Sequence, residues 1–448
     1  MRSMRSLRPN GGRGGGPGYA LAHASHRYRP VPQAVGTGLT GPFATHGRVG
    51  DALDHGPPAA WEGMSLVYAY YFMYAFIFSV SIPTSSVYVE RVTGRSDLSG
   101  PLIATFNFGG VVMQPLQAFL LRRLGVRWSY AVFCALFVVG SVLYTFAHSR
   151  DSTVLLFAGR AISGACSGTQ LFFEVVHRTM HYPAQRRSAV ALLVLVYSSG
   201  YAFALVCAAL VGEQVTYAAS VDVNALTVPG ILSATLAALV GVVGAVFLRN
   251  PPPPPPPPPA LSSHKPTGSL AAALLALAAV VVVMLGEGLR QVAIFNVSVV
   301  EWKWNTTSAS LFAAIAMLIH TPTMPIDHLV PRRALPLLLL GLAPITLAFA
   351  PWGLALPGAA WLYVAATFLY GPLTRIAFAL LSADVLAYST TSSHPKAFVQ
   401  GLAGASALGV GLGASAATLW DLSRVPFVVA ACLYALLTGL VWLFVTRR

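Results

Sequence analysis

Charge is what this chain has least of. Asp, Glu, Lys and Arg make up 9% of its 448 residues, where a soluble domain carries about a quarter. Acidic residues are scarcest, 14 against 28 Lys plus Arg, and none precedes Asp51. There are four cysteines (Cys134, Cys166, Cys207, Cys432), all in apolar segments and without metal or redox spacing, so they read as inert buried thiols. No Gly-rich loop ends in Lys-Ser or Lys-Thr, no paired metal ligands occur, and no nucleophile has a credible base. Hydrolytic and nucleotide chemistry are therefore not expected. The reading is of a protein that is not an enzyme, with no metal and no cofactor. The first fifty residues have no apolar run, which excludes a secretory signal peptide; Arg-rich and free of acid, they read as an organelle transit peptide or, since amphipathic periodicity is absent, as a solvated tail, 1–62.

What is present is apolar length. The chain is 56% hydrophobic with a mean hydropathy of +0.67. Its apolar segments are of membrane-spanning length, and about twenty residues at 1.5 Å each cross roughly 30 Å of hydrocarbon. Six such segments (about Ser65–Tyr88, Gly100–Leu121, Trp128–Ala147, Ser152–Val175, Ser188–Val211 and Val228–Leu248) precede an unbroken proline run, Pro251–Pro259. Six follow it (about Leu270–Val297, Ser308–Pro325, Ala334–Trp352, Ala359–Leu381, Ala397–Leu419 and Val425–Val445). Proline lacks an amide hydrogen and the run favours an open polyproline form that lipid cannot accommodate. It reads as an aqueous spacer, 249–268, between two membrane halves, 63–248 and 269–448. The fold expected is an all-α membrane protein of twelve transmembrane helices in two six-helix bundles.

The net charge of +14 would suit nucleic acid, but the basic residues cluster in short loops between spans, so no nucleic-acid partner is expected. With a cytosolic N-terminus, the cytosolic loops hold Arg122, Arg123, Arg127, Arg178, Arg186, Arg187, Arg249, Lys265, Arg332, Arg333 and Lys396. The opposite loops hold only Arg91, Arg95, Arg150, Lys303 and Arg424. That bias places both termini in the cytosol. Asn305-Thr306-Thr307 is then a glycosylation acceptor on the other side. His177 and His181 read as solvated loop residues.

The pattern resembles the major facilitator superfamily. Leu121-Arg-Arg123-Leu-Gly125-Val-Arg127 is similar to the second half of the family's loop 2–3 motif, Arg160-Ala-Ile-Ser-Gly164 to its helix-four pattern, and Pro183-Ala-Gln-Arg-Arg-Ser to its basic lead-in to helix five. His394-Pro-Lys-Ala-Phe-Val-Gln-Gly401 echoes that lead-in before span eleven. The motif's Asp is replaced by Arg122 and its leading Gly by Ala118. The resemblance implies two pseudo-symmetric bundles rocking about a midplane site. It also implies gating loops at Arg123, Gly125 and Arg127, with Asp327 as the second-half counterpart. Ile82-Pro83-Thr84-Ser85 loosely resembles a eukaryotic branch with vacuolar and lysosomal transporters, so the plasma membrane and those membranes are the expected locations.

In that fold spans one, four, seven and ten line a cavity, and the in-span charges fall on them: Arg160, Glu287, Arg290 and Arg375. A charge in hydrocarbon costs about 2.5–3.5 kcal/mol or more, so each needs a partner or water. Glu287 and Arg290 share a helix face, either neutralising each other or letting Glu287 exchange partners or a proton. Arg160 either bonds backbone carbonyls or serves substrate or coupling; by chain direction it sits toward the outer half and Arg375 toward the cytosolic half, so one ligand need not touch both. Arg375 has no acidic neighbour on its own face and reads as a substrate contact. Tyr71 and Tyr74 line the cavity or form an interface belt, and Asn107 is a further polar candidate. Three cations against one anion predict a small anionic solute, with a proton as candidate coupling ion. The function expected is secondary transport. The alternative is a transport-inactive receptor or scaffold.

Overall fold

A computed structural model describes residues 63–167, 169–180, 183–214, 223–251, 270–319, 360–391 and 395–419, with five positions between 429 and 436. The N-terminal tail, nearly all of the proline run, span nine, most of span twelve, His181 and Asp327 lie outside the described residues. Every regular element among the described residues is helical.

Span one is two helices, α1 (Met64–Val80) and α2 (Ser85–Thr93), bent by 55°. The expected single helix to Tyr88 is thus interrupted. Pro83 supplies no amide hydrogen, and the connecting residues close in turns, with Ile82 N bonded to Ser79 O. Spans two and three run as α3 (Ser99–Ser149), where only Gly125 leaves helical geometry, at φ 74° and ψ 178°. Span four breaks into α4 (Thr153–Ala165) and α5 (Thr169–Thr179). Then come α6 (Pro183–Gln214), α7 (Val228–Phe247), α8 (Leu270–Asn296) with a π turn at Val297–Glu301, α9 (Thr306–Leu318), α10 (Ala360–Thr391) and α11 (Pro395–Leu419).

A broken helix frees carbonyls that lipid cannot satisfy, so buried side chains must. At the break in span four Tyr70 donates to Cys166 O at 2.6 Å and Gln117 Nε2 to Ala165 O at 2.5 Å. At the break in span one Arg160 donates to Ile77 O and Phe78 O at 3.3 and 3.2 Å.

Six described helices are long and apolar enough to cross a membrane, and a seventh if α1 and α2 count as one span. Their outer faces stay apolar and uncovered: Leu239, Val242, Val246 and Phe247 on α7 are each more than half exposed. A row of that kind faces lipid in an integral membrane protein.

Glycines bring backbones close where helices cross. A Cβ at Gly164 would collide with the Phe106 carbonyl, joining spans four and two. One at Gly413 would collide with the Leu285 carbonyl, joining spans eleven and seven. Between the halves, α3 packs on α11, and α6 on both α9 and α10.

Candidate functional site

The in-span charges of the second half converge on Glu287. Its carboxylate is buried and accepts hydrogen bonds from three side chains among the described residues. Arg290 donates through Nε at 3.0 Å and Nη2 at 2.7 Å, Gln291 through Nε2 at 2.9 Å, and Arg375, from α10, through Nη2 at 2.7 Å. Helical spacing makes the first two pairs automatic, because positions three and four apart share a face. The third depends on how α8 and α10 cross. Arg375 therefore does have an acidic neighbour, supplied by another helix.

Among the described residues two guanidinium groups meet one carboxylate, which leaves one net positive charge. Arg375 is also sandwiched. Its guanidinium carbon lies 4.8 Å from the ring centre of Tyr197, on α6 of the other half. Arg375 Nε and Arg290 Nη1 are buried without a hydrogen-bond partner among the described residues.

A cleft opens between the halves at this point, with about 450 Å³ of unfilled space including the part open to solvent. Tyr71, Tyr74, Asn107, Thr169 and Tyr197 line it from the first half, and Met284, Arg375 and Ser406 from the second. Asn107 Nδ2 is a further buried donor with no partner among the described residues. Tyr71 and Thr169 hydroxyls lie 3.4 Å apart.

The structure thus brings together Tyr71, Tyr74, Asn107 and Arg375, with Glu287 and Arg290 behind Arg375. It does not bring Arg160 to them. Arg160 lines a second cavity within the first half, with its guanidinium carbon 4.6 Å from the ring centre of Phe106. Glu174, also on span four, pairs with Arg178 at 2.7 Å.

Sequence reading missed Tyr197, Thr169, Gln291 and Ser406. Gln291 was readable, one turn beyond Glu287. Tyr197 was not, because span five is outside the set assumed to line the cavity, and only the packing of α6 against α10 brings it in.

The loop 2–3 residues hold the first half together. Gly125 turns the chain so that Arg127 N donates to Asn250 Oδ1 at 3.0 Å, beside the first proline of the run, and Arg127 Nε donates to Ala245 O at 2.8 Å, near the end of α7. Arg123 lies over Phe119, 5.6 Å from its ring centre.

Contacts between the halves at this end come from elsewhere. Arg186 donates Nε to Met180 O at 2.9 Å and Nη1 to Leu386 O, on α10, at 3.0 Å. Burial lowers its pKa to about 10, so it stays charged at neutral pH, and carbonyls near two helix ends stabilise that charge. His177 Nδ1 lies 3.3 Å from Ser389 Oγ, so His177 is a part-buried contact between halves rather than a solvated loop residue.

Asn305 is exposed and caps α9, its side-chain oxygen accepting from Ser308 N at 2.7 Å.

A helical membrane protein with a polar, positively charged cleft between two halves is the class these features define. The sequence matches the profile of the Major Facilitator Superfamily over residues 67–405. The chain belongs to that family, and the twelve-helix architecture is the one its relatives share.

Solved structures with the same fold include the xylose transporter XylE from E. coli in a partially occluded inward-open conformation. It is 14% identical with a TM-score of 0.61, over 86% of this chain and 97% of that one. The E. coli fucose:proton symporter FucP in its outward conformation is 12% identical with a TM-score of 0.63, over 85% and 98%. The human organic anion transporter MFSD10 (TETRAN) is 16% identical with a TM-score of 0.60, over 86% and 100%. No curated protein sequence matches the chain.

Proposed function

We propose that this protein is a secondary transporter that moves a small anionic solute by alternating access, with the cleft between the halves as its binding site. One observation carries the reading. Arg375 lines the cleft with Glu287 and Arg290 behind it, and Arg375 and Asn107 present buried donors that have no hydrogen-bond partner among the described residues. An unpaired buried donor is costly, and a ligand oxygen supplies what is missing. The planar guanidinium fork suits carboxylate or phosphate. Membership of a transporter superfamily supports the transport step, and one of the similar structures is named as an organic anion transporter.

Glu287 is the coupling candidate. An incoming anion competes with it for Arg375, and a proton on Glu287 would release that arginine to the solute. Both termini lie in the cytosol in this reading, in the plasma membrane or a vacuolar or lysosomal membrane. The acceptor at Asn305 then faces the other side.

The test is uptake into proteoliposomes across a panel of carboxylates, phosphates and neutral solutes, with and without an imposed pH gradient. Saturable uptake confined to anions supports the reading. A pH gradient is expected to stimulate wild type and to leave Glu287→Gln unaffected. Indifference of wild type to the gradient would make it a uniporter. No flux of any solute would favour a scaffold.

A further inference from the structure

Arg160 is the buried charge that the transport cleft does not use. It is 4% exposed, and no carboxylate pairs with it among the described residues. Its hydrogen bonds are to the carbonyls of Ile77 and Phe78, which occupy two of the five N–H groups of a guanidinium. Carbonyls and the Phe106 ring face offer partial charge only, so among the described residues no full counter-charge meets Arg160 inside the span, a costly arrangement.

The surroundings are polar on one side. Arg160 lines a small cavity with room for about one water-sized sphere, with Ser81, Ser141, Tyr144, Ser163 and Ser233 around it. Ser141 Oγ is buried and has no hydrogen-bond partner among the described residues, and Tyr144 Oη is buried with the Thr84 side chain near it. The wall is completed by Pro229 and Gly230 on α7. A Cβ at Gly230 would press on Ser141, Tyr144 and Thr145, so that position keeps the cavity open.

This cavity shares no lining residue with the transport cleft. Phe106 stands between them. Arg160 lies over its ring, and Tyr74, which lines the cleft, packs on the same ring with centroids 5.5 Å apart.

We propose that this cavity is a binding site for a small inorganic anion of halide size, held by Arg160 with the hydroxyls of Ser141 and Tyr144, and separate from the solute site. The anion supplies the charge that the carbonyls of span one cannot. It also receives the Ser141 hydroxyl, which has no acceptor among the described residues, and the Tyr144 hydroxyl beside it. Because Arg160 also holds the carbonyls at the break in span one, occupancy would stiffen that bend and reach the cleft through Phe106 and Tyr74.

The experiment is thermal unfolding of the purified full-length protein titrated with chloride or bromide. Gluconate replaces the halide at constant ionic strength. A saturable rise in Tm with both halides is expected in wild type and in Arg375→Ala. In Ser141→Ala the half-saturating concentration should rise about tenfold, and in Arg160→Gln the rise should vanish. If Arg160→Gln does not yield folded protein, wild type and Ser141→Ala decide. Equal Tm in halide and gluconate overturns the proposal, as does a titration unchanged in Ser141→Ala. A halide effect lost in Arg375→Ala but kept in Arg160→Gln also overturns it, because the anion then belongs to the transport cleft. The solute reading can fail without this one, since it depends on Arg375 and not on Arg160.

Discussion

Arg375 has neighbours of two kinds. Glu287 holds one of its nitrogens, and Tyr197 of the other half lies under its guanidinium plane. It is therefore the side chain through which the two bundles and the ion cluster meet. The cluster is asymmetric, and that fixes the order of its sensitivities. Removing Glu287 leaves two buried guanidinium groups facing each other. Removing Arg290 leaves one neutral pair. Glu287→Leu is expected to destabilise the protein by about 3–5 kcal/mol. Arg290→Leu should cost about 1–3 kcal/mol, the loss of charged hydrogen bonds. Unfolding midpoints in detergent check the order, and an equal or reversed order would remove the argument from net charge.

Much of this was readable at the residue scale. Four charges inside apolar runs stand out in any hydropathy reading, and spacing pairs Glu287 with Arg290. The pairing of Arg375 was not readable, because it depends on which faces of α8 and α10 oppose. The separation of Arg160 from Arg375 was readable as a difference in depth, since chain direction puts Arg160 toward the outer half and Arg375 toward the cytosolic half. Its position on span four suggested the shared cavity, but Phe106 and the broken end of α1 intercept it first.

At the scale of elements, breaks and crossings set how the halves can move. Arg186 bridges α6 to α10 at the end where spans four and five join, and Ser389 with His177 adds a second tie. In this arrangement Arg186 makes between the halves the contact that the resemblance assigned to loop 2–3. Arg123 and Arg127 bind only within the first half among the described residues. Arg186→Gln removes one charged bond across the halves, about 1.5–3 kcal/mol, and should shift the equilibrium toward opening at that end by about tenfold or more. The readout is modification of Ser406→Cys, in the cleft, by a thiol reagent added from that side. Cys207 and Cys432 are replaced beforehand. Unchanged labelling would deny Arg186 a gating part.

Glycine crossings make a second element-scale prediction. Gly413→Leu forces α11 from α8 and should lower stability by about 1–3 kcal/mol, as overpacking does, and reduce folded yield on size-exclusion chromatography. The helix pattern gave the spans, but the breaks in spans one and four were legible only as Pro83 and as a run of small residues. Their necessity shows once Tyr70, Gln117 and Arg160 are seen filling the freed carbonyls.

For the whole molecule, the count and order of apolar runs and the loop arginines were enough to expect the family's architecture. The sequence profile and the structural likeness bear that out. The cleft could not be read so directly, because a void between halves belongs to no single segment. The proposed orientation rests on the basic loops alone and has its own test. Glycosidase should increase the mobility of wild type but not of Asn305→Gln, and tags at both termini should become accessible only after permeabilisation. A tag accessible on intact cells would invert the topology.

The most direct measurement of the account is the concentration dependence of uptake in Arg375→Gln beside wild type, with the best anion in proteoliposomes. The account predicts a KM raised tenfold or more, with protein still folded and reconstituted. An unchanged KM, or a wild type that carries only neutral solutes, would contradict it.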